Sequence, residues 1–221
     1  ASNIIGIKVF TASTVTSTVS NNIIGHSSFP VSSTSTSTSS LVRGIQMESS
    51  IQTITGNTVC YLTSVAANAT TIGASSSIIG IYSNNTVAGQ TISRNNVYAL
   101  SNSSSAAATV YICGIFTAAV SSGTNVVARN NIHSLKLSCT SAAVQQMVGI
   151  FVSGSSASYQ NNFIRLGIDI AGSAVTGGYG INGIYETSGS TSSYYFNSVY
   201  IGGSGVTGSI ASGAFISAVT S

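Results

Sequence analysis

Apolar positions fall in runs of four to six residues, and every third run is followed by a tract rich in Ser, Thr, Ala and Gly. Runs of that length suit strands and are too short for helices. The pattern also repeats. Six segments superpose: Thr18-Val-Ser-Asn21-Asn-Ile23, Thr53-Ile-Thr-Gly-Asn57-Thr-Val59, Thr91-Ile-Ser-Arg-Asn95-Asn-Val97, Val126-Val-Ala-Arg-Asn130-Asn-Ile132, Ser158-Tyr-Gln-Asn161-Asn-Phe163 and Ser193-Tyr-Tyr-Phe-Asn197-Ser-Val199. The asparagine returns at a mean step of about 35 residues, with an apolar residue two places on each time.

A second marker keeps the same period. Gly6-Ile7, Gly44-Ile45, Gly80-Ile81, Gly114-Ile115, Gly149-Ile150 and Gly183-Ile184 interleave with the asparagines. From the third copy an aromatic follows: Tyr82, Phe116, Phe151 and Tyr185. A seventh copy, Gly213-Ala214-Phe215, keeps the aromatic and loses the isoleucine. Each period holds three apolar runs and one variable tract, such as Ser101 to Ala108 or Ala171 to Gly180. Three strands and a loop per period make one coil of a solenoid. The expected fold is an all-β, right-handed parallel β-helix of about six coils, about 35 residues per coil, in one domain spanning residues 1–221. At about 4.8 Å per coil the column stands roughly 29 Å tall.

Asn21, Asn57, Asn95, Asn130, Asn161 and Asn197 are the expected ladder. A tight bend favours a left-handed residue, which Asn tolerates, and stacked side-chain amides can bond from coil to coil. The long strand poses a puzzle of parity. Ile4, Val42, Ile78, Ile112, Met147 and Ile181 stand two before the glycine, so strict alternation puts them on the face opposite the isoleucines. A bulge at the glycine would put both on one side.

The segments RNNIHSL, YQNNFIRLGIDI and YYFNSVYIGG, beginning at Arg129, Tyr159 and Tyr194, resemble repeats of very large secreted bacterial surface proteins. More broadly, the apolar-x-x-Asn-x-apolar pattern is similar to the parallel β-helix repeat of pectate-lyase-like proteins. The resemblance implies the fold and an extracellular or cell-surface setting. It carries no single function, since that repeat hosts lyases, adhesins and inert stalks.

Composition narrows the choice. Charged residues make 4% of the chain, against roughly 25% in an ordinary domain. Only Glu48, Asp169 and Glu186 are acidic. On the repeat, Glu48 and Glu186 lie four coils apart, about 19 Å, whereas paired glycosidase carboxylates stand about 5–10 Å apart. A carboxylate calcium site fails for the same reason. No catalytic, cofactor or metal residues are therefore assigned. A triad at His26 or His133 would need Asp169, one coil from His133. The net charge of +3 comes from six scattered basic residues, which gives nucleic acid no tract to follow. Arg94 and Arg129 share a position in adjacent coils: a small-anion or sugar-acid contact, or two exposed charges. The aromatic strip is either an outward stacking surface or core.

Cys60, Cys113 and Cys139 have no metal-ligand spacing; they are inert buried thiols, or two of them pair. The apolar stretch from Ala106 to Val120 is shorter than the ~20 residues of a membrane helix. Ala1-Ser2-Asn3 carries no signal-peptide pattern and is expected to be an internal cut or a mature end. Asn68, Asn84 and Asn102 head N-glycosylation tripeptides, and sugar on the Ser/Thr loops would help keep a nearly uncharged surface soluble. The first and last strands carry no cap, so the column is expected to continue, through the same chain or identical copies. The expected role is a structural fibre or stalk segment without catalysis, its partner itself. The alternative is an adhesin or glycan-binding module, with a polysaccharide-cleaving enzyme further behind.

Overall fold

The computed structural model describes residues 3–12, 14–67, 72–85, 87–106, 108–118, 124–139, 144–154, 156–187, 191–206 and 210–219. Every regular element among them is a strand, and the strands pair in parallel between successive coils. The chain is a parallel β-solenoid with the right-handed winding that parallel crossovers favour.

The long sheet has seven strands: Asn3–Phe10, Leu41–Glu48, Ile78–Asn84, Val110–Ala118, Gln145–Val152, Tyr179–Glu186 and Gly213–Ser217. The stretch between Ala106 and Val120 thus supplies a strand of this sheet. The second sheet, Thr16–Ser20 to Ser193–Tyr195, and the third, Ile23–Ile24 to Ser198–Ile201, have six strands each. A fourth, short sheet was not expected. It joins Val31–Ser33, Leu62–Ser64, Ser101–Asn102 and Lys136–Leu137. Runs such as Val97-Tyr98-Ala99-Leu100 read as one strand, but Ala99 has φ 55° and breaks the run, as Tyr61 and Ser134 do in their coils. Tyr61 and Ala99 do not announce a turn as Gly or Asn would, and Ser134 does so only weakly.

Register resolves the parity puzzle. Ile7, Ile45, Ile81, Ile115, Ile150 and Ile184 form one row. Val42, Ile78, Ile112, Met147 and Ile181 lie in the same core as those isoleucines, all fully buried. The change of parity happens at the glycine. A Cβ on Gly114 would stand 2.6 Å from Gly149 O and 2.6 Å from Ile132 Cγ2. The chain bends there because neighbouring backbone and a core side chain leave no room for even a methyl group.

The last copy slips by one residue from the expected alignment. Gly213 pairs with Asn182, Phe215 with Ile184 and Ile216 with Tyr185. Phe215 therefore takes the isoleucine row, edge-on to Tyr194 at 4.7 Å, while Ile216 takes the aromatic row.

Candidate functional site

The coil corner between the second and third sheets carries the most regular chemistry. Its ladder runs Asn22, Asn57, Asn95, Asn130, Asn162 and Asn197. At each step the side-chain Nδ2 of one asparagine donates to Oδ1 of the next at 2.9–3.0 Å. The backbone N–H donates to the same oxygen at 3.0–3.1 Å. Nδ2 also donates back to a carbonyl of the preceding coil, as Asn95 does to Ile54 O at 2.9 Å.

Asn21 and Asn161 are therefore not rungs; their neighbours Asn22 and Asn162 are. The left-handed residue is the one before each rung: Asn21, Gly56, Arg94, Arg129, Asn161 and Phe196, with φ from 51° to 67°. The expectation merged two jobs in one asparagine, the turn and the ladder. Two residues share them. The apolar partner shifts likewise, since Ile24 and Ile164 align with Val59, while Ile23 and Phe163 are exposed.

A second amide ladder escaped the sequence reading. Gln52 N–H donates to Gln90 Oε1, Gln90 N–H to Asn125 Oδ1, and Asn125 Nδ2 to Ser156 O, at 2.9–3.0 Å. Its signal was present, since Gln52, Gln90 and Asn125 recur near the repeat period, but the residue type changes along it.

The aromatic strip lies on the face of the long sheet away from the main core. Tyr82 stacks on Phe116 at 4.9 Å, Phe116 on Phe151 at 5.7 Å, and Phe151 tilts against Tyr185 at 5.6 Å. With Ile79, Cys113 and Val148 it forms a second buried cluster, with Ile72 packed against it. Arg43 caps the stack, its guanidinium 3.8 Å from the Tyr82 ring centre. Burial pulls that guanidinium below its ordinary value.

The acids stay apart. Glu48 and Glu186 sit on long-sheet strands four steps apart. Asp169 pairs with Lys136 at 3.0 Å and also accepts from the N–H groups of Ala171 and Ser173. The bond from Lys136, aided by those N–H groups, holds its carboxyl below the usual range. His133 bonds Ser134 Oγ through Nδ1 and stacks on Tyr98 at 5.0 Å with planes 1° apart. Burial, with Arg165 beside it, lowers its pKa. His26 Nδ1 accepts from Ser28 N–H.

Cys60, Cys113 and Cys139 are free and buried, and burial pushes each thiol's pKa up. Among the described residues no cluster of three or more His, Cys, Asp or Glu side chains is placed to hold a metal ion. No helix of the described residues is long and apolar enough to cross a membrane.

Asn102 is a correction among the glycosylation candidates. It is fully buried, and its Nδ2 donates to Ala66 O and Ser77 Oγ at 2.8 Å. A transferase cannot reach that nitrogen in the folded column. Asn84 is exposed, and Asn68 lies outside the described residues.

The class defined by this geometry is a parallel β-solenoid with a buried asparagine ladder. No family model, curated protein or solved structure matches the chain.

Proposed function

We propose that the chain is a segment of an extracellular fibre or stalk of a bacterial surface protein, with a mechanical rather than a catalytic role. The observation that supports this reading is the buried ladder. The same atoms make the same bonds at every step, so coils add without new geometry and each interface contributes like the last. Such a column grows in height with coil number, which suits a spacer. The likeness to secreted surface repeats, carried by segments such as RNNIHSL, points the same way. Cys60, Cys113 and Cys139, buried and unpaired, are shielded from oxidation outside a cell.

Its partner is more of the same fold. A coil laid against Asn22 would find Oδ1 as an acceptor, and one laid against Asn197 would find N–H and Nδ2 donors. Sugar on Asn84, which is exposed, would add solubility to a surface poor in charge. Antibody raised to this chain should label intact cells, and electron microscopy of the labelled material should show thin, unbranched projections. Label that appears only after permeabilisation, or on globular particles, would overturn the reading. Polysaccharide cleavage lost in Glu48→Gln, Asp169→Asn or Glu186→Gln would overturn the non-catalytic part.

A further inference from the structure

Three cations stand along one flank of the column with no acid facing them. Of the six basic residues, Lys136 is paired with Asp169, while Lys8 and Arg43 line one concavity with Glu48. The remaining acid, Glu186, is buried at the end of a long-sheet strand and accepts from Ser217 Oγ. Arg94, Arg129 and Arg165 are left, all on or beside the third sheet.

Arg94 and Arg129 occupy the corner in adjacent coils, with φ 55° and 57°, and both are exposed. Arg94 N–H donates to Ala128 O, which places the two corners one coil apart, about 4.8 Å. Three other coils fill this corner with Asn21, Gly56 and Asn161, residues that accept a left-handed backbone far more readily than arginine, and the last coil with Phe196. Two like charges one coil apart also repel. Neither the left-handed backbone nor the charge spacing favours arginine at this corner.

Beyond the corner the third sheet turns outward Asn96 and Asn131, then the row Tyr98, His133, Arg165 and Tyr200. Tyr98 and His133 cover each other's faces, so this flank offers ring edges and donors rather than flat stacking platforms. That disfavours the base stacking by which single-stranded nucleic acids are held. It suits a polymer dense in oxygen acceptors. Guanidinium groups bind tetrahedral oxyanions in bidentate fashion, and two of them a coil apart can share one doubly charged phosphate monoester or each take a singly charged sulfate ester. The coil rise is also close to the advance of one sugar ring along an extended glycan.

We propose that this flank, from the Arg94–Arg129 corner to Arg165, binds a glycan carrying sulfate or phosphate esters, laid along the column axis. The inference goes beyond the stalk reading and is tested separately from it. The probes are dextran sulfate, dextran phosphate, unsubstituted dextran and a single-stranded DNA oligonucleotide, each immobilised and washed with the purified chain. Binding to either charged dextran and not to plain dextran is expected, and the tighter of the two names the ester. The double variant Arg94→Asn/Arg129→Asn should lose at least tenfold in affinity and elute at lower salt. Asparagine already serves this corner in other coils, so its melting temperature should not fall. Arg165→Gln, away from the corner, should give a smaller loss. Unchanged affinity in the double variant, equal binding to plain dextran, no binding to either charged dextran, or tighter binding to DNA would each overturn the proposal.

Discussion

Two asparagine columns run side by side, and only one is complete. The inner one, Asn22 to Asn197, bonds at all five steps. The outer one, a single residue further along the chain, makes one step: Asn131 Nδ2 donates to Asn96 Oδ1 at 2.9 Å. Phe163 takes the next position, and Asn131 Oδ1 is left buried without a donor. The inner column has no such freedom, because each missing amide there strands partners on both neighbouring coils. The extent of burial separates the two: Asn57, Asn95, Asn130 and Asn162 are buried, whereas Asn96 and Asn131 are half-buried.

Cutting the inner column should do the most damage. Asn95→Leu takes from Asn57 N–H the Oδ1 it donates to, and removes one bond each from Asn57 Nδ2, Asn130 Oδ1 and Ile54 O. At about 1–3 kcal/mol for a buried orphan, the loss should reach about 3 kcal/mol or more in urea unfolding. A loss below about 1 kcal/mol would mean that the ladder is incidental.

Next comes the glycine bend of the long sheet, where Gly114 lies against Ile132 of the third sheet. Gly114→Ala forces a methyl against Gly149 O and Ile132, and overpacking of this kind costs about 1–3 kcal/mol. Near-neutral stability in the same unfolding experiment would show that the bend can open.

Mending the outer column should bring a gain. Phe163→Asn gives Asn131 Oδ1 a donor, with about 1 kcal/mol of stabilisation expected from a satisfied buried group. A destabilised variant would show that Phe163 packing outweighs the missing bond.

The smallest effect concerns pH. The folded carboxyl of Asp169 lies below its ordinary value of 3.8, so its contribution is present above that value and lost as pH falls through the folded one. The stability difference between the wild-type chain and Asp169→Asn should therefore shrink as pH drops from 6 to below 3. A difference that is constant across that range would remove the ion pair from the account.

The period, the strand character and the glycine row were legible in the sequence because they depend on residue type at fixed spacing. The change of parity at each glycine was legible from flanking residues such as Ile78 and Ile81, but the strands stay in one-to-one register through it, without the extra residue of a bulge. The exact rung was not legible where asparagines come in pairs. Asn21-Asn22 and Asn161-Asn162 are followed by two apolar residues, Ile23-Ile24 and Phe163-Ile164, so either alignment satisfied the motif. Only the left-handed corner separates them, and Arg94, Arg129 and Phe196 disguise it. The buried state of Asn102 was hidden too, because the tract around it reads as loop while its amide closes a gap between Ala66 and Ser77.

The ladder has a direction. Each rung's N–H and Nδ2 reach toward the later coil, whose Oδ1 receives them. During synthesis the earlier coil therefore waits with open donors, and the next coil to emerge closes them. Assembly of the column is in this sense a ratchet. Every coil that docks leaves a fresh template in the same orientation, so order spreads from the first part made to the last. A fault at one rung would divide the column into two blocks that melt separately, instead of weakening the whole evenly.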